Sequence, residues 1–565
     1  MKIPYYKKLL ILKRFLNPLV VILDKMRLLP LMVPFANSIL RLGGMEKRFN
    51  HKLDYRIFAD IFQGQFGEPV QGARKIVFLF MAGAKSRHNL RNMMIARFLQ
   101  DKGFSPLFLV CDGVFTICNR DRVNRDRNKI PLFCYECHDG YRHMASKTGM
   151  PTLYLSNYFD SGNQQLFQQM ADRIDALNSL EACESFSFEE VPFGKMTRKS
   201  VLYYLTQGEF EGRREEILVY HQYLKSVTKF YLMFKNFLNR EPLASHLILN
   251  NGELAFDNLA ANMFLEQGKT YVTQESFEAP NSWIYKKNGI AIRLRWESEM
   301  ARFLEHEIIR PEELNLIREM MSKRKSGQNM VYTFNNPENE GKIDFDNHRY
   351  VGLFTNFMWD TTILERNTFF DSMREWIQET VRFWQENGSN IRLIIRAHPA
   401  EVKLKTAPSA RYVRDLIKDL DLGDNIIFFD STDEVNSYEI ISNIEYGIVY
   451  ASSIGLEIPY HGKPCVVAGD PHYLGQDFVL SPESKNHYFE TLKSLNEKSL
   501  SFTPPVETLL KYLYFIYHRQ VKYLHGFQSG GLSARTLFDI ESAMELVEAN
   551  KPILEEFFQT CIIST

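Results

Sequence analysis

Three signatures that usually announce a nucleotide or acyl enzyme are missing from these 565 residues. There is no G-x-x-x-x-G-K-[ST] loop, no G-x-G-x-x-G after the first apolar strand and no G-x-S-x-G elbow, which argues against P-loop kinases, Rossmann dehydrogenases and α/β-hydrolases. Cysteine is scarce, at seven, so a secreted disulfide framework is excluded and a cytoplasmic location is expected. Charge of one sign is not in excess either. Lys+Arg and Asp+Glu stand at 68 each, which leaves no field to gather a nucleic acid. No apolar run approaches the roughly 20 residues of a membrane span, and no single h-region with a small-residue cleavage site marks an export signal.

What is present is globular: 45% hydrophobic and 24% charged residues. At about 100 to 200 residues per domain the chain should form two large domains. Its charge is uneven, because residues 1–48 hold ten Lys and Arg against Asp24 and Glu46, a net of +8. Those cations alternate with Leu9–Leu12, Phe15 and Leu19–Leu23. The pattern fits a basic amphipathic helix that lies on a membrane surface through residues 1–40, or a docking helix with solvated charges. Cys111, Cys118, Cys134 and Cys137, followed by His138 and His143, include one C-x-x-C, but the spacing matches no two-knuckle zinc site. Packing is the simpler reading and no metal is assigned.

Alternating strand and helix patterns recur. "KIVFLFM" (75–81), a helix with Leu90, Met93, Met94 and Phe98 on one face, and "PLFLVCDG" (106–113) make a βαβ unit. A charged helical stretch, about 161–240, interrupts this half before "HLILNNGELAFDNLAANMFLEQGKTYVTQES" resumes strand, helix and strand. Helix and then polar linker fill 301–345. "YVGLFT", a helix over Thr368–Asn387, "IRLIIR" and strands near 425–429, 446–451 and 464–468 then repeat the logic. The expected fold is α/β, with two doubly wound Rossmann-like domains facing a cleft. Its parts are a basic segment 1–70, a first domain 71–300, a second domain 346–500, and C-terminal helices 501–565 that brace them.

In open parallel sheets ligands bind beyond the carboxyl ends of the strands. Arg396, His398 and Glu401 follow such a strand in "RAHPAE", and Pro399 keeps the turn extended. A cation and an imidazole there suit a phosphate leaving group, with His398 as donor or acid. A capping histidine beside a surface arginine is the structural alternative. "YASSIGLE" places Ser452, Ser453 and Gly455 at a helix mouth suited to phosphate, with Glu457 one turn in for ribose hydroxyls; plain capping is again the alternative. "FTNFMWD" offers Asn356 and Asp360. Facing these from the first domain are Gly83, Lys85, Arg87, His88 and Asn251, and Glu275 in "TQES" is the candidate base or nucleophile. Asp344 with Asp346, and Asp419 with Asp421, do not follow strands as a metal-diphosphate site requires.

"LFTNFMWD", "IIRAHPAE", "NSYEII" and "VYASSIGLEIPYHGKPCVVAG", in this order, resemble the capsule polysaccharide biosynthesis family of bacterial surface-glycan glycosyltransferases. The resemblance is strongest from about Tyr350 to Tyr473. It implies a GT-B-like enzyme without cofactor or metal, using a nucleotide-sugar donor such as CMP-Kdo and a glycan or glycolipid acceptor. It also implies a location on the inner face of the membrane, with His398 and Pro399 as an HP motif that contacts the nucleotide phosphate. A UDP-sugar epimerase on the same architecture, or a non-catalytic polysaccharide assembly subunit, is the alternative.

Overall fold

The computed structural model describes residues 59–67, 71–80, 87–119, 140–278, 281–326, 337–388, 390–403, 411–527, 540 and 542–563. The basic segment 1–48, Gly83, Lys85, Cys134, Cys137 and His138 lie outside them, and so does the side chain of Arg87.

Two sheets carry the molecule. The first runs β12-β6-β5-β4-β1-β2-β3, from β1 (Lys75–Phe80), β2 (Ser105–Val110), β3 (Thr152–Tyr154), β4 (Ala244–Asn250), β5 (Thr270–Glu275), β6 (Ser282–Lys287) and β12 (Lys522–Tyr523). The second runs β11-β10-β7-β8-β9, from β7 (Arg349–Phe354), β8 (Ile391–Arg396), β9 (Ile426–Phe429), β10 (Tyr446–Val449) and β11 (Cys465–Val467). Apart from the antiparallel β6 and β12, every pairing is parallel. In each sheet the first strand lies centrally, its successors run outward on one side, and the chain then crosses to the other side. That is the doubly wound Rossmann order, with its crevice between β1 and β4 in one sheet and between β7 and β10 in the other. The two doubly wound Rossmann-like domains expected from the sequence are therefore present.

The apolar runs read as strands are buried on both faces, as parallel strands covered by helices must be. In β7, Val351 and Leu353 pack toward Trp376 and Trp384, whereas Tyr350 and Phe354 pack toward Tyr438, Ile458 and Leu513. The stretch 161–240 is helical as expected: Ser161–Asp175, Leu180–Glu184, Phe193–Leu205 and the 27-residue helix Arg214–Arg240. That long helix buries a Phe- and Tyr-rich face against β1, β2 and β4. The helix expected from Thr368 begins later, at Met373, because Ser372 caps it by accepting the Glu375 N–H at 3.2 Å.

The C-terminal segment crosses back to the first sheet. β12 adds to β6, and Phe557 packs on Trp283 at 5.3 Å between ring centroids. Cys111 and Cys118 are half-buried and pack against the first core. Among the described residues no group of three or more His, Cys, Asp or Glu is placed to hold a metal. Among them, too, no helix is long and apolar enough to cross a membrane.

Candidate functional site

β7 ends at the crevice of the second sheet, and its first two loop residues tie together the strand ends on either side. Thr355 Oγ1 accepts the backbone N–H of His398, after β8, at 3.1 Å. Asn356 Oδ1 accepts the N–H of Ala451, after β10, at 3.1 Å. The HP turn and the serine turn therefore share one rim of one sheet, on either side of β7.

His398 is half-buried, and its Nδ1 accepts the N–H of Ala400 at 3.1 Å. An acceptor at Nδ1 places the proton of the neutral ring on Nε2, the donor nitrogen of this tautomer. The capping alternative is thus realised in the same residue that would serve as donor, since one ring nitrogen caps and the other is directed by that cap. Pro399 and Ala400 are buried, and Ala400 packs with Phe357 and Trp359. Trp359 in turn meets Tyr203, from a first-domain helix, at 5.6 Å, so this turn lies on the seam between the domains.

Three residues expected as ligands are turned to other work. Arg396 is buried with its guanidinium on the carbonyls of Asp430, at 2.6 Å, and Asp433, at 3.2 Å. Strand alternation sends Ile395 and Ala397 to one face and Arg396 to the other, over the turn after β9; burial lowers its pKa to about 10, partly offset by Asp433 and Asp430. Glu401 is fully buried one turn below His398 and accepts the N–H of Val413 at 3.2 Å. Burial pushes its carboxyl up to about 8. Glu457 is held at 3.2 Å by Arg324 from the linker helix Pro311–Lys325. Arg324 also pairs with Glu278 and donates to Tyr517 at 2.8 Å.

In the serine turn, Ser452 Oγ lies 3.5 Å from the N–H of Ile454, where the seven-residue helix Ile454–Tyr460 begins after Ser453. A Cβ on Gly455 would collide with the Tyr473 hydroxyl, which donates to the Ser452 carbonyl. Glycine is thus needed here for a tyrosine to hold the turn.

The first sheet presents its own cluster at the ends of three neighbouring strands. Asn251, after β4, adopts left-handed φ of 68°, which asparagine tolerates. Its Nδ2 donates to Glu275 Oε2 at 3.2 Å, and its Oδ1 accepts the Glu253 N–H at 3.1 Å. His88, opening the helix after β1, approaches Glu275 Oε1 at 3.2 Å through Nε2. Its Nδ1 lies 2.7 Å from Arg91 Nη2. Arginine can only donate, so His88 Nδ1 accepts and Nε2–H donates to the Glu275 carboxylate.

Two more carboxyls feel the Glu275 charge, and both are pushed up. Buried Asp257 reaches about 8 through burial first and the Glu275 charge second. Asp360, from the loop after β7, is raised by burial with a contribution from Glu275 across the cleft, while Thr362 N–H donates to it at 3.0 Å. The fold thus gathers His88, Asn251 and Glu275 at one strand edge, while Asp360 of the other domain senses the Glu275 charge. Asp257 escaped the sequence reading because "AFDNLAANMF" looks like a plain core helix; its one signal was a first-turn aspartate on the strand-end side.

No protein-family model and no curated protein matches the chain. Solved structures do align with it at low identity. Thermosulfurimonas dismutans KpsC, a beta Kdo 2,4 transferase, is 14% identical over 50% of this chain and 83% of its own, with a TM-score of 0.35. A glycosyltransferase from Rickettsia africae is 10% identical over 86% and 99%, with a TM-score of 0.26. The UDP-GlcNAc 2-epimerase of Neisseria meningitidis bound to UDP-GlcNAc is 11% identical over 86% and 100%, with a TM-score of 0.23. Likenesses this distant add nothing to the strand order.

Proposed function

We propose that the chain is a glycosyltransferase that takes a sugar from a nucleotide-sugar donor held on the second domain and passes it to an acceptor presented by the first. The observation that carries this reading is the shared anchoring of the HP turn and the serine turn on the end of β7. Asp360 of the same loop feels the charge of Glu275 from the opposite domain. The surface-glycan acceptor, and donors of the CMP-Kdo kind, rest on the sequence resemblance.

In this mechanism the donor phosphate lies at the rim between His398 and Ser452. His398 Nε2–H donates to a phosphate oxygen as the glycosidic bond breaks, and such preorganised donors stabilise the charge that develops on the leaving group. Glu275, oriented by His88 and Asn251, takes the proton of the acceptor hydroxyl as it attacks, or attacks the sugar itself. Burial raises the carboxyls of Asp257 and Asp360, which favours their neutral, hydrogen-bond-donating forms.

A thermal-shift panel of CMP, UDP, GDP and CDP compounds tests the reading. One nucleotide should stabilise the protein, and His398→Ala should abolish that shift together with sugar transfer. Absence of any nucleotide effect, or full polysaccharide production by His398→Ala, rejects the proposal. Conversion of UDP-GlcNAc to UDP-ManNAc without acceptor would identify an epimerase instead.

A further inference from the structure

A solvent-open groove lies between the 206–211 loop of the first domain and the second-domain segments 358–374 and 411–416. None of the residues assigned above to donor or acceptor lines it. Its apolar side is formed by Met358, Ile363, Leu364, Met373, Leu416 and the ring of Tyr450. The positive groups of the lining, Arg374 and Arg411, both belong to the second domain. Ser372 and Met373 also line it, so the capped N-terminus of the fifteen-residue helix Met373–Asn387 opens onto the groove and adds its positive end.

A carboxylate already sits on these cations. Arg411 grips Glu211 with a two-point fork, Nε to Oε1 at 2.6 Å and Nη2 to Oε2 at 3.0 Å. Arg374 Nη2 lies 3.9 Å from the same Oε1, and its Nε pairs with Glu209. Within the first domain, Arg213 Nε lies 3.4 Å from Glu211 Oε2. The remaining acid of the lining, Glu365, is engaged by Arg198 at 3.6 Å and Lys199 at 3.9 Å. A planar fork on a carboxylate is the geometry by which arginine also recognises free carboxylates and phosphates. Here the two partners come from different domains. If the first domain withdraws, Glu209 and Glu211 leave with it and the guanidinium pair stays.

We propose that Arg374 and Arg411 form a second ligand site, for a small sugar bearing a carboxylate or a phosphate, and that Glu211 occupies it in this structure as a built-in competitor. The anionic head takes the place of the Glu211 carboxylate, and the sugar body lies over the Met358 to Leu416 side. Binding there and closure of the two domains at this edge are mutually exclusive. The donor crevice shares no residue with this site, so the proposal stands apart from the transferase reading.

Titration of the full-length protein with glucuronate, glucose 1-phosphate and uncharged glucose tests it. Glucuronate or glucose 1-phosphate should bind and glucose should not. Arg411→Gln and Arg374→Gln should each weaken binding roughly ten- to a hundredfold, the loss expected for a charge-assisted contact. Glu211→Gln should tighten it, because the competitor is gone; a purely structural fork predicts no gain. Binding of glucuronate alone identifies a sugar acid, binding of glucose 1-phosphate alone a sugar phosphate, and binding of both the shared oxyanion. The proposal is overturned if neither anion binds the parent or Glu211→Gln, if glucose binds as well, or if the arginine variants keep full affinity. It is equally overturned if His398→Ala abolishes binding, which would place the anion in the donor crevice.

Discussion

Replacing Glu401 by glutamine isolates the energetics of the HP turn. Its carboxyl is fully buried, and burial raises it from 4.5 to about 8. An acid held above its unfolded value keeps its proton more tightly in the folded chain. Below about pH 4.5 both states are protonated and stability is unaffected. Between about pH 4.5 and 8 only the unfolded chain has released the proton, so stability falls by about 1.4 kcal/mol per pH unit, reaching about 5 kcal/mol above that window. Glutamine keeps an oxygen for the Val413 N–H and does not titrate. The advantage of Glu401→Gln over the parent should therefore grow with pH by about 3 to 6 °C per unit in the unfolding midpoint of the second domain. Asp257 shifts in the same direction but is common to both proteins and cancels in the difference. Paired thermal unfolding scans in steps from about pH 5 to pH 8 measure the effect. A difference that stays level across the range refutes the assignment of a neutral, buried Glu401.

Arg324→Met should destabilise the protein by about 3 to 5 kcal/mol, because it leaves Glu457 and Glu278 without the cation that joins them. Denaturant unfolding reads this, and a change below about 0.5 kcal/mol would reduce the network to a surface contact. For the N-terminal segment, deletion of residues 1–40 should release the protein from anionic liposomes while leaving neutral liposomes unaffected. Sedimentation with vesicles measures it, and undiminished binding ends the membrane-surface reading.

Strand positions were legible because parallel strands covered on both faces are apolar throughout, as in "KIVFLF" and "IRLIIR". β3, at three residues, and β6, with its half-exposed "YKK", carry too little of that pattern to be read. At the candidate site, His398, Ser452, Asn251 and Glu275 follow their own strands closely and lie at carboxyl edges, a position their place in the sequence alone conveys. Arg396, Glu401 and Glu457 also lie there in sequence, yet their side chains answer to partners far along the chain or on the opposite face of the strand. Glu457 is set by Arg324, 133 residues away, and no local spacing contains that information.

β12 completes the first sheet only after the whole second sheet has been made, since the contacts that seat it join residues as far as 243 apart. During synthesis the Trp283 face of β6 must wait uncovered for Phe557 and Cys561. A pairing of such high contact order forms late and slowly, and leaves an open strand edge in the meantime. Until the last residues are in place, the edge of β6 is the open border of the first sheet.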